Sequence, residues 1–123
     1  MQKRDLRKLN KKEHEIVDLL RSLKMNKSLA LVIVALEKRG KLNSNDLVKT
    51  TGLTQPAVST AMNTLREKKW VKVQPNTQRL KGRPLNVYQL NYSLESIINM
   101  LEEQILSGQQ ETFNVISRLK QIA

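Results

Sequence analysis

The sequence has no cysteine and a single histidine, His14. The first absence excludes a disulfide scaffold, a thiolate zinc site and a cysteine nucleophile. The second leaves any metal site to one imidazole and scattered carboxylates, a poor ligand set for zinc. Aromatic residues make up 3% of the 123 residues, too few for the stacking platforms that hold single-stranded nucleic acid. No apolar run approaches the roughly 18–20 residues that span a bilayer. Met1-Gln2-Lys3-Arg4-Asp5 leads into a charged segment, not into the apolar core of a signal peptide. Paired catalytic carboxylates, a phosphate-binding glycine loop and a nucleophile–base set are missing as well. The expectation is a soluble cytoplasmic protein with no cofactor, no metal, no membrane partner and no enzymatic activity.

Acidic side chains are also scarce. Eleven Asp and Glu stand against 22 Lys and Arg, for a net charge of +11. The excess is uneven: residues 1–25 carry +4, residues 26–92 carry +9 with only Glu37, Asp46 and Glu67 as acids, and residues 93–123 carry −2. An anionic partner is implied, nucleic acid first, with its surface in the middle segment. A hydrophobic content of 39% is enough for a packed core.

Apolar periodicity places the elements. Leu6, Leu9, Ile16, Leu20 and Leu23, with Val17 and Leu19, predict an amphipathic helix over 4–24. Asn26 is a helix cap, and residues 27–39 are apolar on nearly every side, which predicts a core helix ended by Gly40 as a left-handed C-cap. Lys41-Leu42-Asn43 is a loop or a stub of strand. Ser44 is the expected cap of a short helix to Thr50, Thr51-Gly52-Leu53 a turn, and Thr54 the cap of a helix over 55–68 with Pro56 in its first turn. Trp70–Val73 and Leu85–Asn91 alternate like strands around a loop rich in turn formers. Trp70 is expected to pack, and His14 to lie at the surface. A final helix runs from Leu94 almost to the end.

On the helix 55–68, at about 100° per residue, Val58, Ala61, Met62 and Leu65 share one face. Pro56, Ser59, Thr60 and Asn63 fall on the other, with Gln55 at its N-terminus. These outer side chains are short, so the helix fits a major groove, where Gln and Asn pair with adenine and Ser and Thr bond base edges or phosphates. In the loop, Arg79, Lys81 and Arg83 alternate with Leu80, Gly82 and Pro84, and residues 74–84 contain no acid. Three cations on one side of a loop suit phosphates or a minor groove. Lys68, Lys69 and Lys72 add charge beside them, and Ser44 a hydroxyl at a helix start.

The run from Leu42 to Trp70, with Thr51-Gly52-Leu53-Thr54-Gln55-Pro56 at its turn, resembles the helix-turn-helix of ArsR, MarR and TrmB-like transcription regulators. Lys81-Gly82-Arg83-Pro84-Leu85-Asn86-Val87-Tyr88 is similar to the wing and last strand of archaeal members. The resemblance covers 26–92. It implies a mostly α fold with a small β-hairpin, a winged helix-turn-helix, and double-stranded DNA as partner. Relatives of this type often sense metals, redox state or small molecules. Thiol sensing is excluded here, and no small-molecule effector is evident.

In the last helix Leu94, Ile97, Ile98, Leu101 and Ile105 recur near heptad spacing, Ile116, Leu119 and Ile122 resume the stripe, and Ser107-Gly108-Gln109-Gln110 interrupts it, as a kink or as a small-residue crossing where helices approach closely. The stripe is longer than one small domain can cover, which predicts a homodimer. The expected organisation is an N-terminal amphipathic helix (1–25), a DNA-binding domain (26–92) and a C-terminal dimerisation helix (93–123). The expected function is that of a sequence-specific transcription regulator, a repressor, associated with the nucleoid. The competing expectations are an architectural chromatin protein, or a winged-helix RNA-binding or protein-interaction module.

Overall fold

The computed structural model describes residues 5–75 and 86–123. The chain divides into two units, Met1–Ser93 and Leu94–Ala123. The order in the first is α1 (Lys11–Ser22), α2 (Lys27–Arg39), β1 (Leu42–Asn43), α3 (Ser44–Thr51), α4 (Gln55–Glu67), β2 (Val71–Pro75) and β3 (Asn86–Leu90); the second is α5 (Leu94–Ile122).

Helix α2 is the hub. It packs against α1, α3, α4 and β3, which is why residues 30–36 are all buried and why its sequence has no polar stripe. Its β-branched Val32, Ile33 and Val34 are completely enclosed, each burial contributing about 1.5–3 kcal/mol. The Asn26 side chain caps α2 by accepting from Ser28 N–H, as expected. Gly40 ends it with φ 81° but ψ −142°, a mirror-image extended conformation in place of the left-handed helical one expected.

The first helix begins later than the periodicity suggests. Asn10 and Glu13 form a capping box: the Asn10 side chain accepts from Glu13 N–H at 2.8 Å, and the Glu13 carboxylate accepts from Asn10 N–H at 2.8 Å. This reciprocal bond starts the helix at Lys11, so Leu6 and Leu9 precede it. Leu9 is buried, and its N–H donates to the Thr50 carbonyl at the end of α3. Leu19 and Leu23, expected on the apolar stripe, are exposed instead. His14 is at the surface.

The segment before α1 is clamped by Arg39 from the last turn of α2. Its guanidinium donates to both Glu13 oxygens at 2.7 and 2.8 Å and to the carbonyls of Arg7 and Lys8 at 3.2 Å. The Arg39 and Glu13 side chains are 6% and 8% exposed, so the pair is nearly dry. The Arg39 bonds hold the Glu13 carboxyl below the usual carboxylate range, and Glu13 in turn raises the Arg39 guanidinium further above its ordinary value. Asp5, at the surface, is held down to about 2 by hydrogen bonds from the Arg7 side chain and backbone.

The sheet has three strands in the order β1-β3-β2, all antiparallel. Beyond the predicted hairpin, the stub β1 adds a third strand, pairing Leu42 with Tyr88 and Asn43 with Val87. In the hairpin Val71 pairs with Leu90 and Pro75 with Asn86. Helix α5 runs from Leu94 to Ile122, continuous through Ser107-Gly108-Gln109-Gln110, in keeping with the single final helix expected.

Candidate nucleic-acid interface

Two helices and a turn set up this site. A second capping box starts α3: the Asn43 side chain accepts from Asp46 N–H at 2.8 Å, and the Asp46 carboxylate accepts from Asn43 N–H at 3.0 Å. The cap is therefore Asn43, not Ser44 as predicted. Ser44 is the first helical residue and half-buried. Inside α3 the buried Thr50 hydroxyl donates to the Asp46 carbonyl, and among the described residues no buried side-chain nitrogen or oxygen is without a hydrogen-bond partner. Gly52 closes α3 in the left-handed conformation, φ 77° and ψ 5°, which an L side chain adopts only at a cost. Two residues later Thr54 caps α4, accepting from Ala57 N–H.

Helix α4 has the two faces expected of it. Val58, Ala61, Met62 and Leu65 are buried where it packs on α2 and α3. Gln55, Pro56, Ser59, Thr60 and Asn63 are all exposed. Four of these five are short or medium polar side chains and none is charged, so the first half of the helix has little bulk or repulsion to keep it out of a groove. Sequence reasoning missed a bond at this edge: Gln55 Nε2 donates to Asn45 Oδ1 at 2.7 Å, joining the N-terminal turns of α4 and α3. Ten residues separate the two amides, and only the tertiary turn brings them together.

At the other end of α4, Lys69 turns the chain with φ 63°. Its carbonyl accepts from Asn91 Nδ2, and the Trp70 carbonyl accepts from Asn91 N–H at 2.8 Å. These bonds fasten the base of the hairpin to the end of α4. Trp70 is buried, in keeping with the packing role predicted for it, with Lys68 Nζ 5.2 Å above its ring. Lys68, Lys69 and Lys72 are exposed. Arg79, Lys81 and Arg83 lie outside the described residues. Among the described residues no group of three or more His, Asp or Glu side chains is placed to hold a metal ion, and no helix is long and apolar enough to cross a membrane.

Helix α5 places Ile98, Ile105, Thr112 and Leu119 seven residues apart, with Leu94, Leu101, Gly108, Val115 and Ile122 forming the companion series. Of the predicted dimer residues, Leu94 is buried and Leu101 half-buried. Ile98, Ile105, Ile116 and Leu119 are exposed by 40 to 59%.

The architecture recurs in known proteins. The chain superimposes on TrmBL2, described as an archaeal chromatin protein with a novel mode of DNA binding, with a TM-score of 0.71 at 18% identity over 89% of this chain and 40% of that one. It thus spans well under half of TrmBL2. A possible transcriptional regulator from Methanosarcina mazei gives 0.64 at 20% identity, covering 85% and 87% of the two chains. MepR, a transcription regulator of a Staphylococcus aureus multidrug efflux pump, gives 0.53 at 20% identity over 90% of each. No curated protein matches the sequence. These likenesses establish the winged-helix fold. Residues 18–79, just over half of the sequence, match the MarR family profile, and the chain belongs to the MarR family of winged-helix DNA-binding transcription regulators.

Proposed function

We propose that this chain is a sequence-specific regulator that represses transcription by occupying double-stranded DNA as a homodimer. Helix α4 reads the major groove through Gln55, Ser59, Thr60 and Asn63. Lys68, Lys69 and Lys72, with Arg79, Lys81 and Arg83 of the wing, grip phosphates or the neighbouring minor groove, and Ser44 bonds the backbone. The observation that carries this reading is the division of α4 into a buried apolar face and an exposed face of uncharged polar side chains. An uncharged polar face discriminates bases, whereas cations mainly hold phosphates.

The heptad series on α5 supports pairing with a second copy. Exposed Ile98, Ile105 and Leu119 on one continuous helix form an apolar seam that water does not favour. Two linked recognition helices entering successive major grooves would address half-sites about 34 Å apart. A bound dimer of this kind excludes polymerase sterically. Such a regulator works in the cytoplasm, at the nucleoid.

Two observations favour a second reading. The net charge of +9 on residues 26–92 and the likeness to TrmBL2 suit a protein that coats DNA with little sequence preference. Selection of bound duplexes from a random pool, followed by the ratio of specific to non-specific affinity at fixed salt, separates the two. A regulator enriches a two-fold symmetric site, and Thr60→Ala or Asn63→Ala then costs roughly 1–3 kcal/mol at that site with little change on random DNA. Absence of any enriched sequence would favour the coating reading.

A further inference from the structure

We propose that Asn45 is a positioning residue that fixes the Gln55 amide so that Gln55 accepts adenine and rejects guanine at the base pair beneath the N-terminus of α4. This inference rests on the reading of α4 as the base-reading helix. Its observation is separate: the 2.7 Å bond from Gln55 Nε2 to Asn45 Oδ1, between two exposed side chains on different helices.

A glutamine amide has one carbonyl oxygen and two N–H donors. With one N–H held by Asn45, Gln55 offers Oε1 as acceptor and the remaining N–H as donor. Adenine presents the complement in the major groove, an N6 donor beside an N7 acceptor. Guanine presents two acceptors, N7 and O6, and needs two donors. A tied Gln55 has one donor left and points its oxygen at the second acceptor. The bond therefore converts an amide able to turn either way into a fixed acceptor–donor pair. It also orders a flexible side chain before DNA arrives, which lowers the conformational cost of binding. The Asn45 Nδ2 group retains both its N–H donors with respect to this bond, in the first turn of α3 beside Ser44. From there it can donate to a phosphate oxygen, so that backbone, Asn45, Gln55 and adenine form one chain of hydrogen bonds.

The test uses full-length protein and duplexes that carry each of the four base pairs at every position of the selected site. Wild type should prefer adenine at one position in each half-site. Gln55→Ala should erase that preference and leave the other positions unchanged. Asn45→Ala should lower the adenine-over-guanine ratio at the same position by about three- to tenfold, the worth of one net hydrogen bond. Thermal unfolding and the other positions should stay as in wild type, which a merely structural role for Asn45 would not produce. Asn45→Asp keeps the acceptor but adds a negative charge near phosphate. It should weaken binding to all duplexes while preserving the adenine preference. If Gln55→Ala alters no position, α4 does not read bases through this residue and the inference falls with that part of the reading. If Gln55→Ala acts but Asn45→Ala retains the full preference, the inference alone is overturned. The same follows if Asn45→Asp loses the preference as completely as Asn45→Ala.

Discussion

Replacing Arg39 with methionine should destabilise the winged unit far more than removal of a surface cation would. In the native protein the guanidinium makes two bonds to Glu13 and two to the Arg7 and Lys8 carbonyls. Those carbonyls belong to exposed residues, and water can replace the donor there. Glu13 has no such recourse. Its side chain is 8% exposed, and in Arg39→Met the carboxylate keeps Asn10 N–H and loses its counterion. Breaking a buried pair from one side costs about 3–5 kcal/mol. For a domain of this size about 4–8 °C of melting temperature follows each kcal/mol, so the drop should reach at least about 12 °C. The pH dependence gives an independent sign. In the wild type the Glu13 pKa lies below its ordinary 4.5. Its stabilisation is therefore present above 4.5 and lost as pH falls through the lower folded value. In the variant, burial without the cation pushes the carboxyl up, so acidification should relieve the strain. The gap between the two proteins should close from both sides as pH falls from 7 towards 3. Adding Glu13→Gln to Arg39→Met should recover part of the loss at pH 7. Denaturant titrations at fixed protein concentration measure all three. A loss under about 1 kcal/mol, the range of exposed pairs, or a gap independent of pH, would show that the clamp is hydrated and the argument wrong.

Neutralising Arg79, Lys81 and Arg83 together should weaken binding to every duplex and flatten its salt dependence, by about 0.9 in log–log slope for each phosphate that the wing no longer neutralises; an unchanged slope would remove the wing from the interface. Replacing exposed Ile98, Ile105 and Leu119 by aspartate should give a monomer by sedimentation and a steep fall in affinity for the symmetric site, and a variant still dimeric would exclude this seam. Gly52→Ala should cost about 1–2 kcal/mol, the left-handed penalty of an L residue, since a Cβ built there meets nothing within 4 Å and only backbone strain remains; a neutral result in thermal unfolding would refute that assignment.

What the sequence disclosed depended on how local each cause was. The two faces of α4 need only the helical period, and the burial of Val58, Ala61, Met62 and Leu65 follows it residue by residue. The starts of α1 and α3 are local too, yet periodicity and cap preference misplace them. Apolar Leu6 and Leu9 continue a helical spacing into a segment that Asn10 and Glu13 cut off, and Ser44 stands beside the asparagine that actually caps. In both cases an Asn with an acid three residues on was the signal, and reciprocal side-chain bonding outweighed periodicity. The pairing of Leu42 with Tyr88, the reach of Arg39 to Glu13 and the Asn45–Gln55 bond join residues distant in sequence. Each depends on how the chain folds back on itself, which no local pattern of residues displays. On α5 the stripe was visible, but not that Leu94 is buried while Ile98 and Ile105 stay exposed.

Trp70 is the chain's single tryptophan, and it sits where α4 hands over to the hairpin, buried and tied through its carbonyl to Asn91. Residues 94–123 contain neither tryptophan nor tyrosine. Indole emission is therefore a built-in optical probe of one buried position in the unit Met1–Ser93, between α4 and the hairpin. Far-ultraviolet ellipticity, by contrast, sums over all helices. Melting curves from the two signals will superimpose if both units unfold as one and separate if the tail lets go first. The same unlabelled protein thus reports whether α5 unravels before the unit that carries α4.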